Sequence, residues 1–429
     1  MMPVLLGLLL QQLYNTVDTI IVGNFAGEQA LAAVGACGVL TMAFLALANG
    51  FSAGACILIA QHFGAGREED MRRQASSSLI VMIAMGVAAT VLGIAISRFA
   101  LTYILATPEG LIPMADTYFK IYAAGLASQF GYNIVSAILR GIGDSKATLY
   151  FLLIASVVNV VLDIIFVYGL HMGAAGAAIA TDIAQALSCI VGFVYMMKKY
   201  PVFCWRIDEI TFEKELAGRT LRTGVPMALQ QFIVSFGFVF IQRAVNSFGE
   251  AMTASFSVAQ KIETYMTLPA SALMTTQGTF TGQNIGAGRL DRIRTGAKQT
   301  VVLSEVITAM ILVIVIAFAG HIVKAFGLGA EAIGYCAEHI RFVAFSLPVF
   351  AAYFPLLGLF QGTNNALFST LVATGALTVR VAVTYLLKDI PEFGFHMIWW
   401  NTLFGWGFGF LLTWGHFFRG NWNNTKESI

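Results

Sequence analysis

The chain has 429 residues, of which 58% are hydrophobic and 11% charged, with a formal net charge of +2. Soluble domains carry about 25% charged residues, so this composition and a mean hydropathy of +0.76 exclude a water-soluble globular protein and point to a bilayer. The small net charge and the lack of a basic run interleaved with aromatics argue against a nucleic-acid partner.

A helix needs about 20 apolar residues to cross the hydrocarbon core. On that template twelve spans start near residues 3, 33, 77, 117, 147, 174, 223, 251, 299, 342, 367 and 395. The first begins almost at Met1-Met2-Pro3-Val4 without a basic flank, so a retained helix is expected rather than a signal peptide, with a few residues expected before Met1. Pro3 and Pro226, near the starts of spans one and seven, read either as flexible points or as N-terminal helix prolines. The longest polar interruption carries Lys198, Lys199, Arg206, Lys214, Arg219 and Arg222. The expected organisation is a first lobe at 1–198, a linker at 199–222 and a second lobe at 223–429.

Of the 25 Lys and Arg residues, 17 fall in that linker, in the loops holding Arg67, Arg72 and Arg73, Arg140 and Lys146, and Arg289, Arg292, Arg294 and Lys298, and in the tail with Arg419 and Lys426. By the positive-inside rule the linker and both termini are expected on the cytoplasmic side of the inner membrane.

The block Gln61-His62-Phe63-Gly64-Ala65-Gly66-Arg67 returns, 222 residues on, as Gln283-Asn284-Ile285-Gly286-Ala287-Gly288-Arg289. Gly27-Glu28 and Gly249-Glu250, Ala32 and Ala254, and Arg72 and Arg294 keep the same register. Six spans per lobe is an even number, so both lobes insert the same way up, as parallel repeats about an axis along the membrane normal. Each Gly-Ala-Gly-Arg block follows the second helix of its half, where glycine ends the span and permits a tight turn.

Ionisable residues inside spans mark function first. Asp18 lies in the middle of the first span, where a carboxylate costs roughly 2.5–3.5 kcal/mol on insertion scales. Gln11, Asn15 and Asp18 share one helical face, with Tyr14 beside it. Ser156, Asn159 and Asp163 form a second stripe on span five; Gln129, Asn133, Ser136 and Arg140 form a third on span four; Thr181, Asp182 and Gln185 sit early in span six. Interhelical hydrogen bonding alone accounts for isolated amides and hydroxyls, and Arg140, at a span end, is expected to snorkel. In the second lobe Lys261, Glu263, Glu305 and Arg380 lie within spans. Lys261 and Glu263 are two apart and point in different directions, which leaves substrate and a neighbouring helix both open as their partners.

No catalytic constellation appears. The five cysteines are scattered without a Cys-x-x-Cys pair, the six histidines form no ligand pair, and Gly-Ala-Gly-Arg lacks the Lys-Ser/Thr of a nucleotide loop. No enzyme activity, cofactor or nucleotide is expected, so the work must come from an ion gradient.

Gln11-Gln12-Leu13-Tyr14-Asn15-Thr16-Val17-Asp18, Gly23, the paired Gly-Ala-Gly blocks, Arg140-Gly141-Ile142-Gly143-Asp144 and Asn159-Val160-Val161-Leu162-Asp163 together resemble the multidrug and toxic compound extrusion (MATE) family over essentially the whole chain, its DinF-like branch most closely. The resemblance implies an all-α integral membrane protein with twelve transmembrane helices in two six-helix lobes around a central cleft. It implies export of amphipathic, often cationic, organic molecules in exchange for protons or sodium by alternating access. The family's coupling-ion positions fall here on Asp18, Asn159, Asp163 and Thr181, with sodium, if used, bound at Asp18 and Asp163. Candidate cleft or substrate residues are Gln11, Tyr14, Asn15, Gln129, Asn133 and Glu263. The NorM-like branch carries acids in spans seven and ten; here span seven reads Leu229-Gln230-Gln231-Phe232 and span ten holds none, so no second-lobe cation site is expected.

Two close carboxylates in a low dielectric cannot both ionise cheaply, so one proton or one sodium ion is expected between Asp18 and Asp163. At the 222-residue spacing Asp18 falls on Phe240, Asp163 on Tyr385 and Thr181 on Leu403, so the ion site is expected in the first lobe alone. A monomer in the lipid bilayer is expected. The alternative is a lipid-linked oligosaccharide or lipid flippase of the same superfamily; a receptor or anchor, or a membrane-embedded enzyme, explains the paired acids and the repeat less well.

Overall fold

The computed structural model describes residues 1–205, 211–390 and 392–420; Arg206 of the expected linker and Lys426 of the tail lie outside the described residues. Among the described residues every regular element is helical. In chain order the helices are α1 (Met2–Ile21), α2 (Glu28–Gly64), α3 (Glu68–Phe99), α4 (Ile112–Ala124), α5 (Leu126–Gly141), α6 (Ser145–Asp163) and α7 (Gly173–Lys199). They continue as α8 (Lys214–Asn246), α9 (Glu250–Gly286), α10 (Leu290–Lys324), α11 (Ala330–Gly362), α12 (Ala366–Leu387) and α13 (Met397–Arg419). Only Gly125 separates α4 from α5, so these two form one interrupted rod, and the thirteen α-helices among the described residues make twelve rods.

Nine of the rods are long and apolar enough, by length and composition, to cross a membrane. The other three are the interrupted α4–α5, the Ser- and Thr-rich α9, and α13 with its Trp and Gly residues. Several helices start well before the apolar stretch that betrays them: α3 begins at Glu68 and α10 at Leu290, with charged first turns. At 1.5 Å per residue the 37-residue α2 and α9 run about 55 Å, longer than the roughly 30 Å hydrocarbon core. Hydropathy sees only the part in lipid.

The chain divides into two compact units, Met2–Leu229 and Gln230 onward, with the division inside α8. In the first, α5 packs on α2, α3 and α7, and α6 on α1 and α7, around buried Phe119, Leu126, Phe130, Ile134 and Ile138. In the second, α11 is central, packed on α9, α10 and α13 around Val343, Leu347, Tyr353 and Leu357. Lipid tails are as apolar as these side chains, so the packing gain is van der Waals contact rather than removal from water.

The repeat is visible in the backbone. Each of α2 and α9 starts after a positive-φ glycine, Gly27 (87°) and Gly249 (99°). Each ends in the same corner. The Arg67 N–H reaches the His62 carbonyl at 3.1 Å and the Arg289 N–H the Asn284 carbonyl at 2.8 Å. Gly66 and Gly288 both take φ 67°, a left-handed conformation that costs other residues roughly 1–2 kcal/mol. Pro226 lies inside α8, not at its start, whereas Pro3 sits in the first turn of α1.

Candidate functional site

Asp18 on α1 and Asp163 on α6 come within hydrogen-bonding reach of each other. Asp163 and Asn159 are fully buried, and Asp18 is half-buried with an enclosed Oδ1. Just beyond the acids the helices loosen into π-helical turns, Val22–Ala26 after α1 and Ile164–Gly169 directly after Asp163. Such widened turns recur at functional sites because they free backbone and re-aim side chains.

The Asn159 amide is oriented by its network. With its nitrogen toward the acid it donates to Asp163 Oδ2 at 2.8 Å, and its oxygen accepts from Thr181 Oγ1 at 3.3 Å and Thr181 N–H at 3.2 Å. Tyr14 Oη lies 3.4 Å from Thr181 Oγ1. The structure thus brings Asp18, Asp163, Asn159, Thr181 and Tyr14 together. Among the described residues neither Asp18 Oδ1 nor Asp163 Oδ1 finds a donor, and no Lys or Arg faces either acid. Carboxylates only accept when ionised. Two of them in contact therefore fit one proton or one hard cation between them.

The other expected residues scatter. Gln11 and Asn15 are exposed, and no hydrogen bond among the described residues ties their side chains to the cluster. Gln129 is buried and accepts from the Tyr122 hydroxyl at 3.2 Å, while Asn133 donates to the backbone carbonyl of Gln129 at 2.9 Å. Ser156 bonds its own helix at the Leu152 carbonyl. Tyr118 and Tyr122 on α4 lie within electrostatic reach of Asp18 or Tyr14. Sequence reading missed both, because tyrosines are ordinary on membrane helices; their spacing of four, one face of α4, was the available signal.

In the second unit Lys261 is exposed and Glu263 buried. Glu263 Oε1 stands 3.8 Å from the Arg380 guanidinium. Arg380 Nε donates to Asn401 Oδ1 at 2.8 Å and Nη2 to Thr402 Oγ1 at 3.0 Å, and the group lies 5.2 Å from the Phe238 ring centroid. Asn401 and Thr402 escaped sequence reading; a buried Arg demands acceptors, and they supply the polar pair in α13.

At the cytoplasmic end expected from the charge bias, Asp144 caps α6. It accepts from Ala147 N–H at 3.3 Å, Tyr195 Oη at 3.0 Å, Lys199 Nζ at 2.9 Å and Tyr200 Oη at 2.8 Å. Burial alone would raise its pKa, but these four donors outweigh it and hold the carboxyl below the usual range.

The MatE family model matches residues 3–165 and 226–386, once in each half. A Bacillus subtilis protein described as "Probable multidrug resistance protein YpnP" is 29% identical over 366 residues, covering 85% of this chain and 82% of its own. A second from that organism, "Probable multidrug resistance protein YoeA", is 26% identical over 428 residues, covering 97% and 92%. A solved structure, described as the outward-facing conformation of a multidrug resistance MATE family transporter of the MOP superfamily, superposes with a TM-score of 0.93 at 24% identity, covering 100% of this chain and 95% of that one.

Proposed function

The chain belongs to the MATE family of multi-pass membrane transporters, and from that premise we propose that it is a secondary active antiporter of the DinF-like branch. It exports amphipathic, cationic organic molecules in exchange for protons or sodium, from an inner membrane with both termini cytoplasmic, working as a monomer through alternating access. The observation that carries this reading is the contact between half-buried Asp18 and buried Asp163, with no Lys or Arg facing them among the described residues and an orphaned oxygen on each.

One cation on this pair removes the repulsion between two carboxylates, and its release restores it. That difference in energy is what an ion gradient needs in order to bias one conformation over another. Asn159 holds Asp163 and is itself held by Thr181 on α7, so a change at the pair is felt by α1, α6 and α7 together. The energy suffices. One proton crossing 100 mV and one pH unit yields about 3.7 kcal/mol, enough for a several-hundred-fold substrate gradient. A flippase for lipid-linked sugars would call for cations where this first unit places acids, so the exporter is favoured.

The test uses purified protein in vesicles with an imposed pH or sodium gradient and a panel of fluorescent organic cations. Asp18→Asn is expected to lose gradient-driven transport to the level of protein-free vesicles. Full gradient-driven transport by a folded Asp18→Asn variant would sink the assignment.

A further inference from the structure

The rod α4–α5 breaks at Gly125, where the Gly125 N–H turns to the Tyr122 carbonyl at 3.2 Å, three residues back rather than four. No proline stands there, and Ala123-Ala124-Gly125-Leu126-Ala127 has only Gly125 as a poor helix former. The cause lies on α7. The Asp182 carboxylate stands against the Gly125 backbone, where a Cβ at position 125 would collide with it. A side chain inserted into the helical ladder is one of the few causes of a sharp break. In a bilayer the freed backbone groups must be satisfied by protein, and a carboxylate also suits the positive end of α5.

The break carries something. Tyr122 and Tyr118 lie on the turns just before it, and the Tyr122 hydroxyl bridges it to Gln129 on α5. Tyr118 lies within electrostatic reach of Asp18 and Tyr14, and Tyr122 of Tyr14 and Asp182. Thr181, next to Asp182 on α7, bonds Tyr14 and Asn159. One turn of α7 therefore grips the carboxylate cluster with Thr181 and the interrupted rod with Asp182.

We propose that Asp182 is a positioning residue for ion coupling: by holding the break at Gly125 it sets Tyr118 and Tyr122 beside the Asp18 cluster and joins α4–α5 to the helix bearing Thr181. This rests on the coupling site proposed above. Glycine at 125 is then part of the device, since only it admits the carboxylate so close to the backbone.

The experiment measures vesicle transport against the concentration of the driving ion, protons and sodium imposed separately, for Asp182→Asn, Gly125→Ala and Asp18→Asn. Asp182→Asn and Gly125→Ala are each expected to shift the half-maximal ion concentration by about fivefold or more, with a smaller change in maximal rate. Amide exchange over residues 122–129 is expected to quicken in both, with α9–α11 unchanged. Should Asp182→Asn fail to accumulate as folded protein, Gly125→Ala carries the test from the other side of the contact. A lower maximal rate with unshifted ion dependence would mean a merely structural contact and overturns the proposal. Lost coupling in Asp18→Asn beside an unshifted Asp182→Asn overturns it alone; retained coupling in Asp18→Asn overturns the site beneath it as well.

Discussion

Related by 222 residues, Asp18 and Asp163 of the first unit correspond to Phe240 and Tyr385 of the second. The second pair is also in contact, with the Tyr385 hydroxyl donating to the Phe240 carbonyl at 3.1 Å. The adjacency of α1 and α6 thus recurs in α8 and α12, while two carboxylates give way to a ring and a hydroxyl that finds its acceptor in the backbone. The second unit does bury charge, but Arg380 there has Glu263, Asn401 and Thr402 around it. Asp18 and Asp163 have each other, one amide donor from Asn159 and, among the described residues, an orphaned oxygen apiece. Compensated charge is fixed in place by its partners. Uncompensated charge is open to a mobile ion, and the two units divide these roles.

Stability should respond with opposite sign in the two units. Arg380→Met leaves Glu263 buried opposite an apolar side chain, a loss expected to cost about 3–5 kcal/mol, read as a lower unfolding midpoint in detergent. The double variant Arg380→Met/Glu263→Met should recover most of that, because a buried pair replaced by apolar groups of similar volume is often neutral. An unchanged midpoint for Arg380→Met alone would break the comparison. In the first unit, Asp163→Asn removes a like charge, and stability is expected to hold or to rise by about 1 kcal/mol while coupling is lost. A fall as large as that of Arg380→Met would mean that Asp163 holds the unit together.

Part of the fold was legible in the sequence. Twelve spans, the repeat and the acids at 18 and 163 stand out because apolar length, glycine corners and charge in lipid are strong local signals. The cluster of Asp18, Asn159, Asp163 and Thr181 came through residue types matched to a family pattern, and the geometry assembles those four. Gln11 and Asn15 share a helical face with Asp18 by spacing, yet they are exposed. A spacing of four or seven aligns residues along a helix but does not say how wide the packed stripe is. The Arg380 partners lie 21 and 22 residues downstream on another helix, and the Asp182–Gly125 contact joins α7 to α4–α5. Such contacts depend on how helices pack, which no single helix encodes.

The smallest expected effect asks whether compensation, rather than membership of one unit, decides what a carboxylate does. Asp144 belongs to the same unit as Asp18 and Asp163, yet it has four donors. With its folded pKa held below the usual range, it contributes stability above the unfolded value of about 3.9 and loses it as pH falls through the folded value. Lys199 is half exposed, which trims the ion-pair part. Asp144→Asn should therefore lower stability at neutral pH by about 1–2 kcal/mol and flatten the acid limb of a melting-temperature profile relative to the parent. Transport should keep its dependence on the ion gradient, since no contact joins Asp144 to the Asp18 pair among the described residues. If Asp144→Asn instead altered that dependence, a carboxylate with every donor in place would be taking part in coupling, and compensation would no longer separate structural charge from working charge.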